Sequence, residues 1–291
     1  MNEPTLCLIG AGRAGGSLAR QWHAKGGFKT KALFSRSGNN TLASEISALN
    51  IRTLDQLPTT DAVLIATHDS AISPLAQLLA ELPDRDWHEK VVFHLSGALP
   101  ASCLKALADK GALIASAHPV RAFSNDHTCF KKTWVGIEGD KKAQTILQNA
   151  FNAIGGQCFC INSAQKIKYH AAAVIASNHM VALADAANTL WQDAGLEQHT
   201  STALFESLAL GVLDNLREQP PKQALTGPIA RGDVDTVAKH VQALDADQAN
   251  IALLYRQVSE HLLHLMQTQH SAETQQALRD ALRTSPTPGA N

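Results

Sequence analysis

Apolar and polar residues follow two different patterns along this chain, and the change comes near residue 162. Before it, short apolar runs alternate with stretches in which apolar residues recur every three or four positions. Such runs are typical of buried strands, and the longer period is typical of helices. After residue 162 only the helical period continues. The pattern predicts an α/β, Rossmann-like, doubly wound parallel sheet over residues 1–162, an all-α domain over 163–283 and a disordered tail over 284–291.

The predicted strands and helices of the first domain alternate, as a parallel sheet with crossover helices requires. The strands are predicted at 5–9, 29–34, 51–53, 61–66, 90–95, 112–117, 134–138 and 157–161. The helices are predicted to follow the first glycines and then at 41–49, 71–81, 100–110 and 141–154. His118-Pro119 is predicted to end the sixth strand abruptly, and residues 121–132 are predicted as a loop over the sheet edge.

A glycine-rich turn directly follows the first apolar run and precedes helically spaced apolar residues. Its sequence is Gly10-Ala-Gly12-Arg13-Ala14-Gly15. In this context the first glycine permits a tight turn, the second lets the backbone approach a pyrophosphate, and the third lets the helix pack on the strand. The helix start adds free N–H groups and the positive end of its dipole. The motif predicts a dinucleotide site formed by Gly10, Gly12, Arg13, Ala14 and Gly15.

The end of the second predicted strand bears on the choice between NADP and NAD. An NAD-preferring fold places an acidic residue here for the adenosine ribose. This chain instead has Ser35-Arg36-Ser37, and an arginine between two hydroxyls suits a 2′-phosphate. The sequence therefore predicts NADPH in preference to NADH. The alternative is an ordinary polar loop.

Ligands of doubly wound sheets lie at the carboxyl ends of the strands. That rule predicts Ala66 and Thr67 as cofactor contacts, Ser96 as a cofactor or substrate contact, and His118 as a substrate contact. For Ser96 the alternative is a simple helix cap.

The first segment of the helical domain is predicted as one long helix, because it has no proline or glycine before Gly195. Lys166, His170, Ser177 and Asn188 fall on one narrow arc of this helix, with Asn178 beside them. A polar stripe on a buried helix must meet polar partners or a wet cleft. We expect Lys166, His170 and Asn178 to face the nicotinamide and the substrate, with Ser177 beside them. A buried polar network or a dimer seam is the alternative.

Further helices are predicted at 200–218, 233–244, 247–270 and 272–282. Thr226, Pro228, Arg231 and Asp233 lie between the first two of them. The two helix starts and the guanidinium of Arg231 offer donors to an anionic substrate group, so Thr226 and Arg231 are predicted substrate contacts. A plain helix–helix turn fits these residues equally well.

Charge and composition exclude several classes of function. Twenty-five basic residues nearly cancel 26 acidic ones, so no global field attracts nucleic acid or an anionic membrane. No run of 18 apolar residues or signal-peptide pattern occurs, and the five cysteines form no regular framework. These features predict a cytoplasmic protein. The histidines have no metal-ligand spacing, so no metal is predicted.

Five segments together resemble an uncharacterised Rossmann-like oxidoreductase family with a C-terminal helical domain of unknown function. They are residues 10–15, 94–97, 118–119, 169–178 and 225–233. The family is similar to the 6-phosphogluconate dehydrogenase superfamily, with ketopantoate reductases and pyrroline-5-carboxylate reductases as neighbours. In many relatives a lysine and an asparagine four residues later face the substrate. Here Lys166 has His170 at that spacing and Asn178 follows two turns on, so the identity of the substrate acid stays open.

The resemblance implies NADPH-dependent reduction of a small 2-oxo acid, ketopantoate first, and a homodimer through the helical domains. A carbonyl that receives hydride needs a proton or hydrogen-bond donor near its oxygen. His170 or Lys166 is the predicted donor, Lys166 alternatively holds a substrate carboxylate, and Asn178 and Ser96 orient the carbonyl or the nicotinamide amide. Imine reduction of the pyrroline-5-carboxylate type and a non-catalytic NADP(H) sensor are the alternative functions.

Overall fold

The computed structural model describes residues 3–35, 40–123 and 129–283. The chain divides into two compact units, one ending at His179 and the other beginning at Met180. The predicted contacts Arg36 and Ser37 and the predicted disordered tail, 284–291, lie outside the described residues.

The first unit is built on one eight-stranded sheet. Its strands are β1 (Thr5–Ile9), β2 (Lys29–Phe34), β3 (Leu49–Ile51), β4 (Ala62–Ile65), β5 (Val91–His94), β6 (Leu113–Pro119), β7 (Trp134–Gly139) and β8 (Gln157–Cys160). The strand order is β3-β2-β1-β4-β5-β6-β7-β8. The order reverses between β1 and β4, which is the topological switch point where doubly wound sheets bind their ligands.

Helices cover both faces of this sheet. They are α1 (Arg13–Lys25), α2 (Asn40–Glu45), α3 (Asp69–Ala80), α4 (Lys105–Ala108) and α5 (Lys141–Ala153). A further helix, α6 (Lys166–Ala176), follows β8. Successive residues of β1 point to opposite faces, so Leu6 and Leu8 enter one core while Cys7 and Ile9 enter the other. Both faces of the strand are therefore apolar, as the continuous apolar run predicted.

The sheet is mostly parallel, which confirms the Rossmann-like fold and corrects the expectation of a fully parallel sheet. β7 runs antiparallel to β6, and β8 is again parallel to β7. The antiparallel pairing continues through His118↔Gly136 and Pro119↔Val135. The sixth strand therefore does end at Pro119, but it includes His118 and Pro119 and runs two residues beyond the predicted Ala117.

Other boundaries differ where a local interaction overrides helical periodicity. The predicted helix 100–110 is a 3₁₀ turn, Ala101–Leu104, followed by the single-turn α4. The N–H of Ala101 donates to the buried carboxylate of Glu138 over 2.7 Å. The predicted helix 41–49 ends at Glu45, because the chain enters β3 at Leu49 and not at 51.

The predicted long helix is broken at Ser177. It forms α6 and then α7 (Asn178–Asp193), and Ser177 has a non-helical backbone. The hydroxyl of Ser177 donates to the carbonyl of Ala173, four residues earlier, over 2.7 Å. Such back-bonding by serine often bends helices, and it leaves no proline or glycine signal in the sequence.

The second unit is helical, as predicted. After α7 it contains α8 (Gln198–Glu218), α9 (Pro221–Ala224), α10 (Pro228–Arg231), α11 (Val234–Asp247), α12 (Ala249–Leu265) and α13 (Ala272–Arg283). Val237, Val241, Leu263 and Leu278 form its buried core. Arg256 on α12 links this helix to two others. It donates hydrogen bonds to Asp245 on α11 and to the carbonyl of Leu282 on α13.

Candidate active site

The turn between β1 and α1 has the geometry of a dinucleotide cradle. Gly10 has a φ of +100°, which favours glycine. A Cβ at Gly10 would lie 2.4 Å from the carbonyl oxygen of Ala66, and one at Gly15 would lie 2.5 Å from the carbonyl oxygen of Gly10. Both positions therefore require glycine for the close approach of α1 to β1 and β4.

Gly12 differs from these two glycines, because a Cβ there would have no described atom within 4 Å. Gly12 is the N-cap of α1, and its backbone opens onto free space beside the first-turn N–H groups of Arg13 and Ala14. An anionic pyrophosphate fits such a site by charge and by shape. Ala66 and Thr67 flank the turn, and Ser35 follows β2 at the same edge.

Polar side chains gather at the carboxyl ends of β5 and β6. His94 is fully buried: its Nδ1 accepts the N–H of Ser96 over 3.1 Å, and its Nε2 lies 3.3 Å from the carbonyl oxygen of Pro100. Burial lowers the pKa of His94 to about 4, with a further contribution from the charge of Lys166. His94 is therefore neutral at pH 7, with its proton on Nε2, and it shapes the turn after β5.

Lys166 is buried, with 1% of its surface exposed, and its ammonium donates to the hydroxyl of Ser116 on β6. Burial lowers the pKa of Lys166, while nearby Glu138 favours the charged form. Glu138 itself accepts hydrogen bonds from Ala101 and Ser163. Lys166 thus acts as a fixed positive centre beneath the site.

His118 and His170 come together above Gly97. Their ring centroids are 5.8 Å apart, and a Cβ at Gly97 would lie 2.5 Å from His170 Nδ1 and 2.9 Å from His118 Nε2. Tyr169 contacts the other side of His118, with 2.8 Å between its hydroxyl and His118 Nδ1. Burial, together with Lys166 and His170, lowers the pKa of His118 to about 4. His118 is therefore also neutral at pH 7.

Ser96 is buried and fully engaged. Its hydroxyl donates to Asp69 over 2.7 Å and accepts the N–H groups of Ala98 and Leu99. This is the geometry of the cap that was the alternative interpretation. The role of Ser96 toward a cofactor or substrate stays a prediction.

The remaining predicted contacts are not part of this cluster. Asn178 is exposed and accepts the hydroxyl of Ser177 over 3.0 Å. Thr226 and Arg231 belong to the second unit, where Arg231 lies 3.9 Å from Asp233. The functions of Asn178, Ser177, Thr226 and Arg231 stay predictions.

Four residues of the site carry no recognisable signal in the sequence. Tyr169, Asp69 and Ser116 are hydrogen-bonded to predicted site residues from 27 to 51 positions away in the chain. Glu138 is close enough to the predicted Lys166 for its charge to favour the charged form of that lysine. Only the sheet brings them together. The one available hint was Glu138 itself, a lone carboxylate that follows the apolar, buried run Val135–Ile137 of β7.

The buried histidines make stability depend on pH. The pKa of His94 is about 4 in the folded protein against 6.5 ordinarily, so the unfolded chain binds more protons between these values. The contribution of His94 is complete above pH 6.5 and is lost as the pH falls toward 4. We expect the free energy of unfolding, measured by urea denaturation, to fall by about 2–3 kcal/mol between pH 7 and pH 4.5 because of His94.

The variant His94→Asn keeps an acceptor for the N–H of Ser96. Its free energy of unfolding should change less with pH than that of the wild-type protein. The exposed His88→Asn is the matched control and should leave it unchanged. Equal slopes in the wild-type protein and His94→Asn would contradict the assignment.

Residues 133–262 match the family model described as "Domain of unknown function (DUF2520)". Over these residues the chain is similar to that domain. The match starts just before β7 and runs through most of α12, so it contains Glu138, Lys166, Tyr169 and His170. No functionally curated protein matches the chain by sequence.

Solved structures resemble the chain over nearly its whole length. A protein from Thermotoga maritima is 27% identical, with a TM-score of 0.70, and the match covers 91% of this chain and 99% of that one. An NADP oxidoreductase, so described provisionally, from Bacteroides fragilis is 23% identical with a TM-score of 0.71, over 90% and 98%. An imine reductase from Myxococcus stipitatus in complex with NADP⁺ is 15% identical with a TM-score of 0.66, over 97% and 100%.

Pyrroline-5-carboxylate reductases from Coxiella burnetii and Plasmodium falciparum share the fold as well, with TM-scores of 0.60 and 0.61. The fold that the resemblance implied, a Rossmann-like part followed by a helical part that matches a domain of unknown function, is thereby confirmed. Within the described residues, no helix is long and apolar enough to cross a membrane. The same residues contain no group of three metal-ligating side chains placed to hold an ion.

Proposed function

We propose that this protein is an NADPH-dependent oxidoreductase that reduces the carbonyl group of a small 2-oxo acid, with ketopantoate as the first candidate. One observation carries the proposal. The glycine cradle and the Lys166–His118–His170 cluster lie at the carboxyl ends of strands of the same sheet, where doubly wound folds bind cofactor and substrate.

Gly10, Gly12, Arg13, Ala14 and Gly15 would hold the pyrophosphate of the cofactor. Ala66 and Thr67 would border it, and Ser35, Arg36 and Ser37 would meet the 2′-phosphate. When bound, the cofactor supplies hydride. NADP is named with the oxidoreductase from B. fragilis and the imine reductase from M. stipitatus, which share this fold, and this supports NADP as the cofactor here.

The protein's own residues would handle the charge that hydride addition leaves on the substrate oxygen. His170 lies beside Gly97 and is only half-buried, so it can give a proton to that oxygen. Lys166 adds a positive potential that favours a carboxylate substrate, although its ammonium is already bound to Ser116. Asn178 and Ser96 would orient the carbonyl or the nicotinamide amide, and His118, Ser177, Thr226 and Arg231 would contact the acid.

NADPH oxidation by the purified protein, followed at 340 nm with ketopantoate present, tests the proposal. Turnover with NADPH and little with NADH is the expected result. Tight NADPH binding without turnover on ketopantoate would remove the leading substrate. Pyrroline-5-carboxylate is then the next substrate to assay, and binding without turnover on either compound would favour the NADP(H) sensor.

Imine reduction is the second candidate, because imine reductases and pyrroline-5-carboxylate reductases share the fold. The role of His170 separates the two chemistries. An iminium substrate already carries its proton, so removing His170 should cost little with an imine and much with a 2-oxo acid.

We further propose a cytoplasmic homodimer formed through the helical domain. Ser201 is the only buried residue of the 21-residue α8, whereas Leu208 and Val212 expose more than half of their surface. An apolar helix of this kind is stable only when a partner covers it. Leu204, Leu208, Val212 and Leu216 repeat every four residues and form one face, which suits a self-complementary contact.

The double variant Leu208→Glu/Val212→Glu should convert the dimer to monomers. Each interface would bury four uncompensated carboxylates, so we expect the dimer dissociation constant to rise at least about 100-fold. Analytical ultracentrifugation across a concentration series measures this change. Ala203→Glu, on the far side of α8, is the control. A wild-type protein that sediments as a monomer would refute the proposal.

A further inference from the structure

One buried nitrogen in the active site has no hydrogen-bond partner. His170 Nδ1 is inaccessible to solvent and has none among the described residues. An unpaired buried acceptor or donor is costly, and such groups in native structures usually have a functional explanation. The ring of His118 lies beside it, with 5.8 Å between the two ring centroids, and both rings border Gly97.

The proton on His118 can be assigned from its other contact. The hydroxyl of Tyr169 lies 2.8 Å from His118 Nδ1, and this is its only hydrogen bond in the described parts of the chain. Burial raises the pKa of Tyr169 to about 12, so the phenol is protonated at neutral pH. With the phenol as the donor to Nδ1, neutral His118 carries its own proton on Nε2.

The Nε2–H of His118 therefore lies near the unpaired Nδ1 of His170. Both lie within 2.9 Å of the position that a Cβ of Gly97 would occupy. A small ring rotation or one bridging water would join them, and catalytic hydrogen bonds are often long before substrate binds.

Two glycines make this arrangement possible. A Cβ at Gly97 would collide with both histidine rings, and one at Gly136 would lie 3.0 Å from the hydroxyl of Tyr169. Gly136 is the β7 residue paired with His118 in the sheet. The absence of side chains at Gly97 and Gly136 thus leaves room for the rings of His118 and His170 and for the hydroxyl of Tyr169.

We propose that Tyr169, His118 and His170 form a proton relay that holds the proton of His170 on Nε2 and directs it to the substrate oxygen. The relay deepens the proposed reductase function and rests on it for the catalytic step. His170 is the catalytic residue, and His118 and Tyr169 are positioning residues that act through it. As negative charge develops on the substrate oxygen, that oxygen takes the Nε2 proton of His170.

The remaining protons shift along the series. His170 Nδ1 takes the proton from His118 Nε2, and His118 Nδ1 takes the proton from Tyr169, so both imidazoles stay neutral and Tyr169 is left as a phenolate. After the product leaves, solvent protonates His170 Nε2, and the two Nδ1 protons move back along the series to His118 Nε2 and to the phenolate oxygen. A phenolate is a far weaker base than an alkoxide, so the transfer is downhill.

The variant Tyr169→Phe tests the relay, since it keeps the ring contacts with Phe159 and His118 and removes only the donor. In long-range ¹H–¹⁵N correlation spectra, wild-type His118 and His170 should both carry the proton on Nε2. Tyr169→Phe should give mixed tautomers for His118. The rate constant kcat with a 2-oxo acid should fall about 10- to 100-fold, with KM changed less than about threefold.

The chain provides a matched control in its second unit. His240 Nδ1 lies 3.0 Å from the hydroxyl of Tyr255, and these rings meet edge to face as His118 and Tyr169 do. Tyr255→Phe should leave kcat and the tautomers of His118 and His170 unchanged.

A protonated Nδ1 on either His118 or His170 in the wild-type spectra would overturn the relay, as would unchanged tautomers in Tyr169→Phe. The spectra need no turnover, so they decide the relay even if the proposed reductase function fails. Wild-type tautomers as expected, together with no reduction of any 2-oxo acid, would refute the proposed function while keeping the hydrogen-bonded series.

Discussion

Gly12→Asp should abolish NADPH binding and leave the protein folded. No described atom lies within 4 Å of a Cβ at this position, and the φ of Gly12 is −72°, so a side chain fits without strain. We expect the free energy of unfolding to change by no more than about 0.5 kcal/mol. The carboxylate would occupy the pyrophosphate site, and its charge would repel the phosphates. NADPH affinity, measured by calorimetry, should fall on the order of 100-fold or more.

Two further variants separate steric from electrostatic effects. Gly12→Asn has nearly the same shape without the charge and should bind more tightly than Gly12→Asp. Gly15→Ala should instead lower the melting temperature, because its Cβ would meet the carbonyl oxygen of Gly10 at 2.5 Å. A Gly12→Asp protein that is stable and still binds NADPH normally would show that the nucleotide lies elsewhere.

The order of strands and helices in the first unit could be predicted because each element has a local period. A buried strand such as Ala62–Ile65 is apolar throughout, and it lies between helices that are apolar on one side. The direction of β7 could not be predicted in this way. Parallel and antiparallel strands with both faces buried have the same apolar pattern, and only the connection across the sheet decides between them.

The cofactor turn could also be predicted from the sequence, because its functional residues are six consecutive ones. The cluster around Lys166 and His170 could be predicted only in part. Lys166 and His170 were predicted as site residues because they are polar residues on an apolar helix, whereas Tyr169 lay within a segment of the family resemblance and was given no role. Its significance depends on His118, 51 residues earlier, and on a sheet register that places His118 opposite Gly136.

The break at Ser177 shows the limit of periodicity for the site. Continuing one helix through this residue placed Asn178 beside the polar arc that contains His170. The hydrogen bond from Ser177 to Ala173 ends α6 there, so the angular count no longer holds beyond it. Asn178 therefore keeps its predicted role only through the family resemblance.

His170→Asn should remove most of the catalytic activity with a 2-oxo acid while NADPH still binds. His170 is one end of the series whose other end is Tyr169, and its proton is the one that reaches the substrate in our proposal. General acid catalysis contributes about 10²–10⁴-fold, so kcat should fall by that factor. NADPH affinity should change less than about twofold, because the cradle at Gly10–Gly15 lies on other elements.

His23→Asn, at the exposed end of α1, is the control and should behave as the wild-type protein does. The His170→Asn variant is also assayed with two substrates, a 2-oxo acid and a cyclic iminium acid. If His170→Asn loses 2-oxo acid reduction but keeps reduction of a cyclic iminium acid, then the proton of His170 is needed for oxygen and not for nitrogen. If both reactions survive, then the substrate oxygen takes its proton from another group, and Lys166 is the next residue to replace, because its ammonium is the nearest fixed cation to the same end of β6.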